Sequence, residues 1–203
     1  MNFEKEEKTV ISKLKDIINP QVYLAIEQDK KWGKVILEEP RAKLKKVTII
    51  GFEYEKTFAF KLDAKEKFDP NRTIRISEYL NPHTENINKG CDGIIFTYLA
   101  GKGYVFICEM KSEVPQKIDY IQQFRNSSVF INFMNAILHE FYRINIETFP
   151  VKYILFDKKK SYGQTPTNMK IASIKESYDD KELFIYRIHH PNEKRSLNIK
   201  LLT

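Results

Sequence analysis

The chain has 203 residues, enough to bury a substantial core and most simply one domain. Its 34 Lys+Arg against 27 Asp+Glu give a formal charge of +7, which suits an anionic partner such as nucleic acid or a membrane surface and, on charge alone, equally suits a basic protein with solvated lysines. Two cysteines exclude a disulfide framework, four histidines without CxxC or HExxH spacing argue against zinc, and no apolar run approaches the roughly 20 residues that span a bilayer, so the expectation is a soluble, cytoplasmic protein without a membrane partner.

From Phe3 to Ile18, Val10, Ile11, Leu14, Ile17 and Ile18 recur at helical spacing, and Asn19-Pro20 ends the segment. Short runs rich in β-branched and aromatic residues follow: KVILEE, KKVTIIGFE, KTFAFKLD and RTIRISEYL, separated by charged turns and by Pro40 and Pro70. They predict a β-rich, antiparallel block. Next, CDGIIFTYL and GYVFICEMK, joined by AGKG, predict a hairpin. A helix is expected from about Pro115 to Arg143, with Phe130, Phe133, Met134, Ile137, Leu138 and Phe141 as its apolar stripe. VKYILFD after Pro150 reads as a buried strand, and KIASIKES, LFIYRIHH and SLNIKLLT as further strands; the loop from Asp157 to Asn168 carries turn signals.

The hairpin is apolar on both alternating faces, as a covered central strand should be, yet it holds Asp92, Glu109 and Lys111. With a turn centred on Gly101-Lys102, Asp92 lies opposite Lys111 and shares a face with Glu109; a slip of one pair keeps the face and changes the neighbour. Two converging carboxylates repel, and a divalent cation relieves the repulsion; oxygen donors suit Mg²⁺ or Mn²⁺ better than zinc. An ammonium beside them orients a water or offsets charge on a phosphoryl group. The competing explanation is a buried ion pair with Lys111 at the sheet edge.

At these residues the chain resembles the PD-(D/E)XK nuclease superfamily: Asp92 at the end of one strand, then Glu109-Met110-Lys111 on the next, with a helix and a strand behind them through Asp157. The usual Pro before the Asp is Cys91 here. Glu6-x-Lys8, Asp29-x-Lys31, Asp63-x-Lys65 and Asp157-x-Lys159 repeat the acidic-x-Lys spacing; what sets Glu109-x-Lys111 apart is its place on an apolar strand paired to one that carries an Asp.

The resemblance implies an α/β domain of restriction-endonuclease-like type, with an αβββαβ core and a central mixed sheet flanked by helices. Residues 1–203 would form one nuclease-like domain, its core about 73–157, a β-rich elaboration over 20–72 and C-terminal strands over 158–203. It further implies a Mg²⁺- or Mn²⁺-dependent endonuclease or exonuclease, acting on DNA ahead of RNA, in antiviral defence or repair, alone, as a homodimer or with a partner subunit. Asp92 and Glu109 would hold the metal together with the main-chain carbonyl of Met110, and Lys111 would position the attacking water. Several branches of the superfamily place a glutamine on the following helix, which Gln123 matches; Asp119, Asn126 and Ser127 continue the same stripe by helical projection. A further acidic ligand from an earlier element would be Glu78, ahead of Glu7. Lys158, Lys159 and Lys160, with the RAKLKK run, are candidates for phosphate contacts. The rival reading is an inactive nucleic-acid- or protein-binding subunit with the same fold.

Overall fold

The protein is described from a computed structural model, which covers residues 3–39, 44–62, 64, 74, 76–77, 79–81, 83–84, 87–111, 116–157, 170–178, 181–189 and 196–203. The chain opens with helix α1 (Phe3–Ile17), whose Val10, Ile11 and Leu14 turn to the interior. Asn19 stops it: its side chain accepts the Gln21 N–H, and Pro20 starts a 3₁₀ turn. Strands β1 (Ile26–Asp29), β2 (Trp32–Glu38) and β3 (Lys46–Glu53) follow, then β4 (Thr57–Phe60), β5 (Gly93–Leu99) and β6 (Lys102–Lys111). Helix α2 (Lys117–Tyr142) ends at Arg143 in the left-handed conformation, φ 58°. Strands β7 (Val151–Asp157), β8 (Lys170–Tyr178), β9 (Lys181–His189) and β10 (Ser196–Asn198) complete the order.

Two sheets result. The larger has the order β4-β5-β6-β7-β9-β8 and is mixed: β4, β5 and β6 run antiparallel in turn, β6, β7 and β9 are parallel, and β8 is antiparallel to β9. The smaller has the order β1-β2-β3-β10, antiparallel except for the parallel β3/β10 pair.

The large sheet separates two cores. On one face Ile94, Phe96, Val105, Ile107, Leu155 and Ile185 pack with α1 and α2; on the other, Ile95, Phe106, Cys108, Met110, Ile154 and Phe156 pack with Val35, Leu37, Val47, Ile49 and Phe52 of the small sheet. This explains why the hairpin is apolar on both faces. The expected helical cover is therefore met on one face only, and the β-rich block supplies the other. Gly93 marks how closely the layers approach, since a Cβ there would lie 2.5 Å from Leu37 Cδ2.

Three expectations need correction. The hairpin turn is on Ala100-Gly101, both with positive φ (50° and 81°), so the register shifts one pair from the one expected: Gly93 pairs with Cys108 and Leu99 with Lys102. The apolar stripe of α2 is rotated: Tyr120, Ile121, Phe124, Ile131, Met134 and Leu138 are buried while Phe133 and Phe141 are exposed. The described residues of RTIRISEYL carry no strand. Among the described residues no helix is long and apolar enough to cross a membrane.

Candidate active site

Asp92 immediately precedes β5 and Glu109 lies near the end of β6. Continuing the ladder one step past Gly93 and Cys108 sets the two acids across from each other, where Asp92 had been expected to meet Lys111. Both are buried, 8% and 2% exposed, on the face covered by the helices. Asp92 Oδ2 accepts the Met110 N–H at 2.8 Å, and Oδ1 lies 3.6 Å from Lys61 Nζ. Glu109 Oε1 is 2.8 Å from Lys111 Nζ, whereas its Oε2 is buried with no hydrogen-bond partner among the described residues.

The electrostatics follow from this burial. Desolvation, then the charge of Asp92, pushes the Glu109 carboxyl up to about 8, against the pull of Lys111 and of the Asp92 backbone N–H. Burial also raises Asp92, opposed by Lys61 and by the Met110 N–H. For Lys111, burial disfavours the ammonium, but the adjacent Glu109 and the charge of Asp92 outweigh it and the pKa is raised. Lys111 is thus a cation held between acids.

Helix α2 brings Gln123 against the end of β6. Its Oε1 accepts from Lys111 Nζ at 2.7 Å and its Nε2 donates to the Gly90 carbonyl at 3.0 Å, tying β6 to the segment that leads into Asp92. Ser127 Oγ accepts the Cys91 N–H at 3.2 Å, and Asn126 donates to the Lys89 carbonyl at 2.9 Å. Asp119 is exposed and among the described residues makes no such tie, though its charge acts on Lys111. Asp92, Glu109, Lys111 and Gln123 therefore converge as one constellation.

The remaining candidates do not join it. Glu7 is buried 2.9 Å from Lys56 and acts electrostatically on Tyr98, toward the turn end of β5 and away from Asp92. Glu78 and Lys158, Lys159 and Lys160 lie outside the described residues, as do Arg41 to Lys43 of the other basic run.

Sequence reasoning missed two neighbours. Lys61, just past β4, bridges Asp92 to Glu39, whose Oε1 is 2.8 Å from its Nζ. The only sequence signal was the lysine closing an apolar strand. Asp157, at the end of β7, is fully buried between Arg187 and His189 of β9, partners about thirty residues away that no local pattern indicates.

A hard divalent cation fits what is present. The donors are all oxygen, two carboxylates face each other, and one carboxylate oxygen is buried without a partner. Asp92, Glu109 and the Met110 carbonyl are the residues that would hold it. Among the described residues no group of three or more His, Cys, Asp or Glu side chains converges as a ready metal site. Comparison with protein-family models, curated proteins and solved structures gave no significant match, so the reading of this site stands on its own geometry.

Proposed function

We propose that the protein is a metal-dependent nuclease of restriction-endonuclease-like type that hydrolyses phosphodiester bonds, in DNA ahead of RNA. The observation that carries this reading is the buried Asp92–Glu109 pair, with Glu109 bound to Lys111 through one oxygen and unpartnered at the other. Burying two facing carboxylates that are only partly compensated carries a desolvation cost of roughly a few kcal/mol, and groups perturbed in this way cluster at functional sites. The chain order α1, β4-β5-β6, α2, β7, with β7 parallel to β6, supports it as the order that the resemblance implies, with β1 to β3 inserted after α1.

When bound, Mg²⁺ or Mn²⁺ supplies Lewis-acid polarisation of a phosphoryl oxygen and offsets the charge that develops there. The rest falls to the protein's own groups. Asp92 and Glu109, with the Met110 carbonyl, would hold that cation. Lys111 Nζ, held by Glu109 and Gln123, donates to the attacking water and orients it in line with the leaving oxygen. Gln123 keeps Lys111 in place and ties it to the Gly90 carbonyl. The Met110 N–H holds Oδ2 of Asp92 and leaves its other oxygen facing Lys61.

One observation favours the inactive binding subunit instead. Each acid already has an ammonium of its own, Lys61 for Asp92 and Lys111 for Glu109, so the pair is partly compensated without metal. The deciding experiment incubates the protein with Mg²⁺ or Mn²⁺ and labelled duplex and single-stranded DNA and RNA. Cleavage lost in Glu109→Ala supports the nuclease; no cleavage, together with no carboxylate-dependent Mn²⁺ binding, supports the inactive subunit.

A further inference from the structure

Lys111, Asp157 and His189 are register partners across β6, β7 and β9, so they stand side by side at one end of the sheet. Adjacent strands are about 4.8 Å apart, which puts Asp157 next to Lys111 and His189 one strand beyond. Tyr153 and Leu155 share Asp157's face of β7, Ile185 shares that of Arg187 and His189 on β9, and all pack on the helix side. The Asp157 cluster therefore opens on the same face and the same edge as Glu109 and Lys111.

Its internal geometry is asymmetric. Asp157 is 0% exposed, and its two oxygens are taken by different groups: Oδ2 by Arg187 Nε at 2.5 Å and Oδ1 by His189 Nδ1. An Arg–carboxylate pair built for mutual attraction alone favours the bidentate fork. Here Arg187 is gripped by Nε, and among the described residues its terminal nitrogens have no hydrogen-bond partner; neither has His189 Nε2. The Arg187 and His189 side chains are 23% and 28% exposed, while the acid that anchors them is fully buried. Glu176 also faces Arg187, but it is engaged by Lys117 and by the Tyr120 hydroxyl, each at 2.9 Å. A buried acid that grips Arg187 by its inner nitrogen leaves the terminal N–H groups of the guanidinium for an anion, and His189, whose Nδ1–H points at the same acid, adds a donor at Nε2 in its imidazolium form.

We infer that Arg187 and His189, braced by Asp157, form a phosphate-binding subsite that receives a phosphate of the nucleic-acid strand next to the one held at Asp92 and Glu109. The inference deepens the nuclease reading and rests on it for the identity of the ligand. Asp157 and Lys111 being adjacent, the strand would run across the carboxyl ends of β6, β7 and β9.

The test is fluorescence anisotropy in EDTA, where no cleavage occurs, with end-labelled duplex DNA carrying either 5′-hydroxyl or 5′-phosphate ends. Arg187→Gln should weaken binding about tenfold and shallow the dependence of log affinity on log salt by about 0.9. His189→Gln should weaken it less, and Lys34→Gln, in the small sheet, should match wild type. Equal loss on both duplexes assigns an internal backbone phosphate; loss only with 5′-phosphate ends assigns a terminal one. Arg187→Gln that melts cooperatively and binds like Lys34→Gln overturns the subsite, as does wild type that fails to bind either duplex. Arg187-dependent binding without cleavage on any substrate would instead sink the nuclease reading and leave the subsite standing; cleavage that needs Glu109 with binding indifferent to Arg187 would do the reverse.

Discussion

Glu109 and Lys111 share one contact, 2.8 Å from Oε1 to Nζ, while the second oxygen of Glu109 stays buried without a hydrogen bond among the described residues. The two residues should therefore separate in their effects. Glu109→Ala and Asp92→Ala should remove cleavage and Mn²⁺ affinity together. Lys111→Ala should lower turnover by about a hundredfold or more while Mn²⁺ still binds, because its role begins after the cation is in place. Titration calorimetry showing that Lys111→Ala has lost the metal would return the pair to a structural ion pair.

Metal should stabilise the fold by mass action: at a hundred times Kd the gain is about 2.7 kcal/mol. The melting temperature should climb with Mn²⁺ in wild type and stay nearly flat in Asp92→Asn. Without metal, Asp92→Asn should melt no lower than wild type, since a buried charge facing Glu109 has gone. A full Mn²⁺ response in that variant would place the site elsewhere.

The raised Glu109 carboxyl sets the pH dependence of the metal-free protein. Its pKa is about 8 in the folded protein against an ordinary 4.5 for a glutamate, so the folded state binds this proton more tightly. That stabilisation is fully present below pH 4.5 and is lost as pH rises through about 8. In EDTA, stability should fall across this window by a few kcal/mol, order of magnitude, and Glu109→Gln should remove most of the slope. Urea midpoints measured from pH 5 to 8.5 that decline as steeply in Glu109→Gln as in wild type would locate the titrating group elsewhere.

The parts of this arrangement that could be read in the sequence are those fixed by local pattern. Val10, Ile11 and Leu14 announce α1, and the two-faced apolar run announces a covered hairpin. Asp92 and Glu109 come to one face because side chains alternate, which a shift of one pair does not disturb. Their pairing depended on the turn, and Ala100 adopting a positive φ is not a choice its side chain favours. Strand β1 carried no alternation to detect, because three of its four residues are exposed at a sheet edge. The α2 stripe was misjudged because aromatic residues were counted as core, whereas Phe133 and Phe141 face outward. Lys61 with Glu39, and Asp157 with Arg187, are tertiary pairs, and nothing in either partner's neighbourhood names the other.

Cys91 and Cys108 should be chemically silent in the folded protein. Burial pushes both thiols well up, and the neighbouring carboxylates add to it, so the reactive thiolate is scarce. A thiol reagent at neutral pH should label neither until denaturant is added. Rapid labelling of Cys91 under native conditions would mean that the Gly90–Asp92 segment opens, and with it the bracket that Gln123 and Ser127 place on it.

The last prediction tests whether the small sheet holds the site strand. Gly93 follows Asp92 directly, and a Cβ there would sit 2.5 Å from Cδ2 of Leu37, itself fully buried on β2. Leu37 has little room to yield, so Gly93→Ala should cost about 1–3 kcal/mol by overpacking. Leu37→Ala alone should cost about 2–5 kcal/mol through the cavity it leaves. In the double variant the new methyl enters that cavity, so it should lose less stability than the sum of the two single losses, the shortfall measuring direct contact between the layers. Because Asp92 is one residue away, Gly93→Ala should also weaken Mn²⁺ binding, and Leu37→Ala in the same chain should restore part of it. Strictly additive urea-denaturation energies would show that β2 and β5 do not pack together at this point, and that the small sheet has no part in seating Asp92.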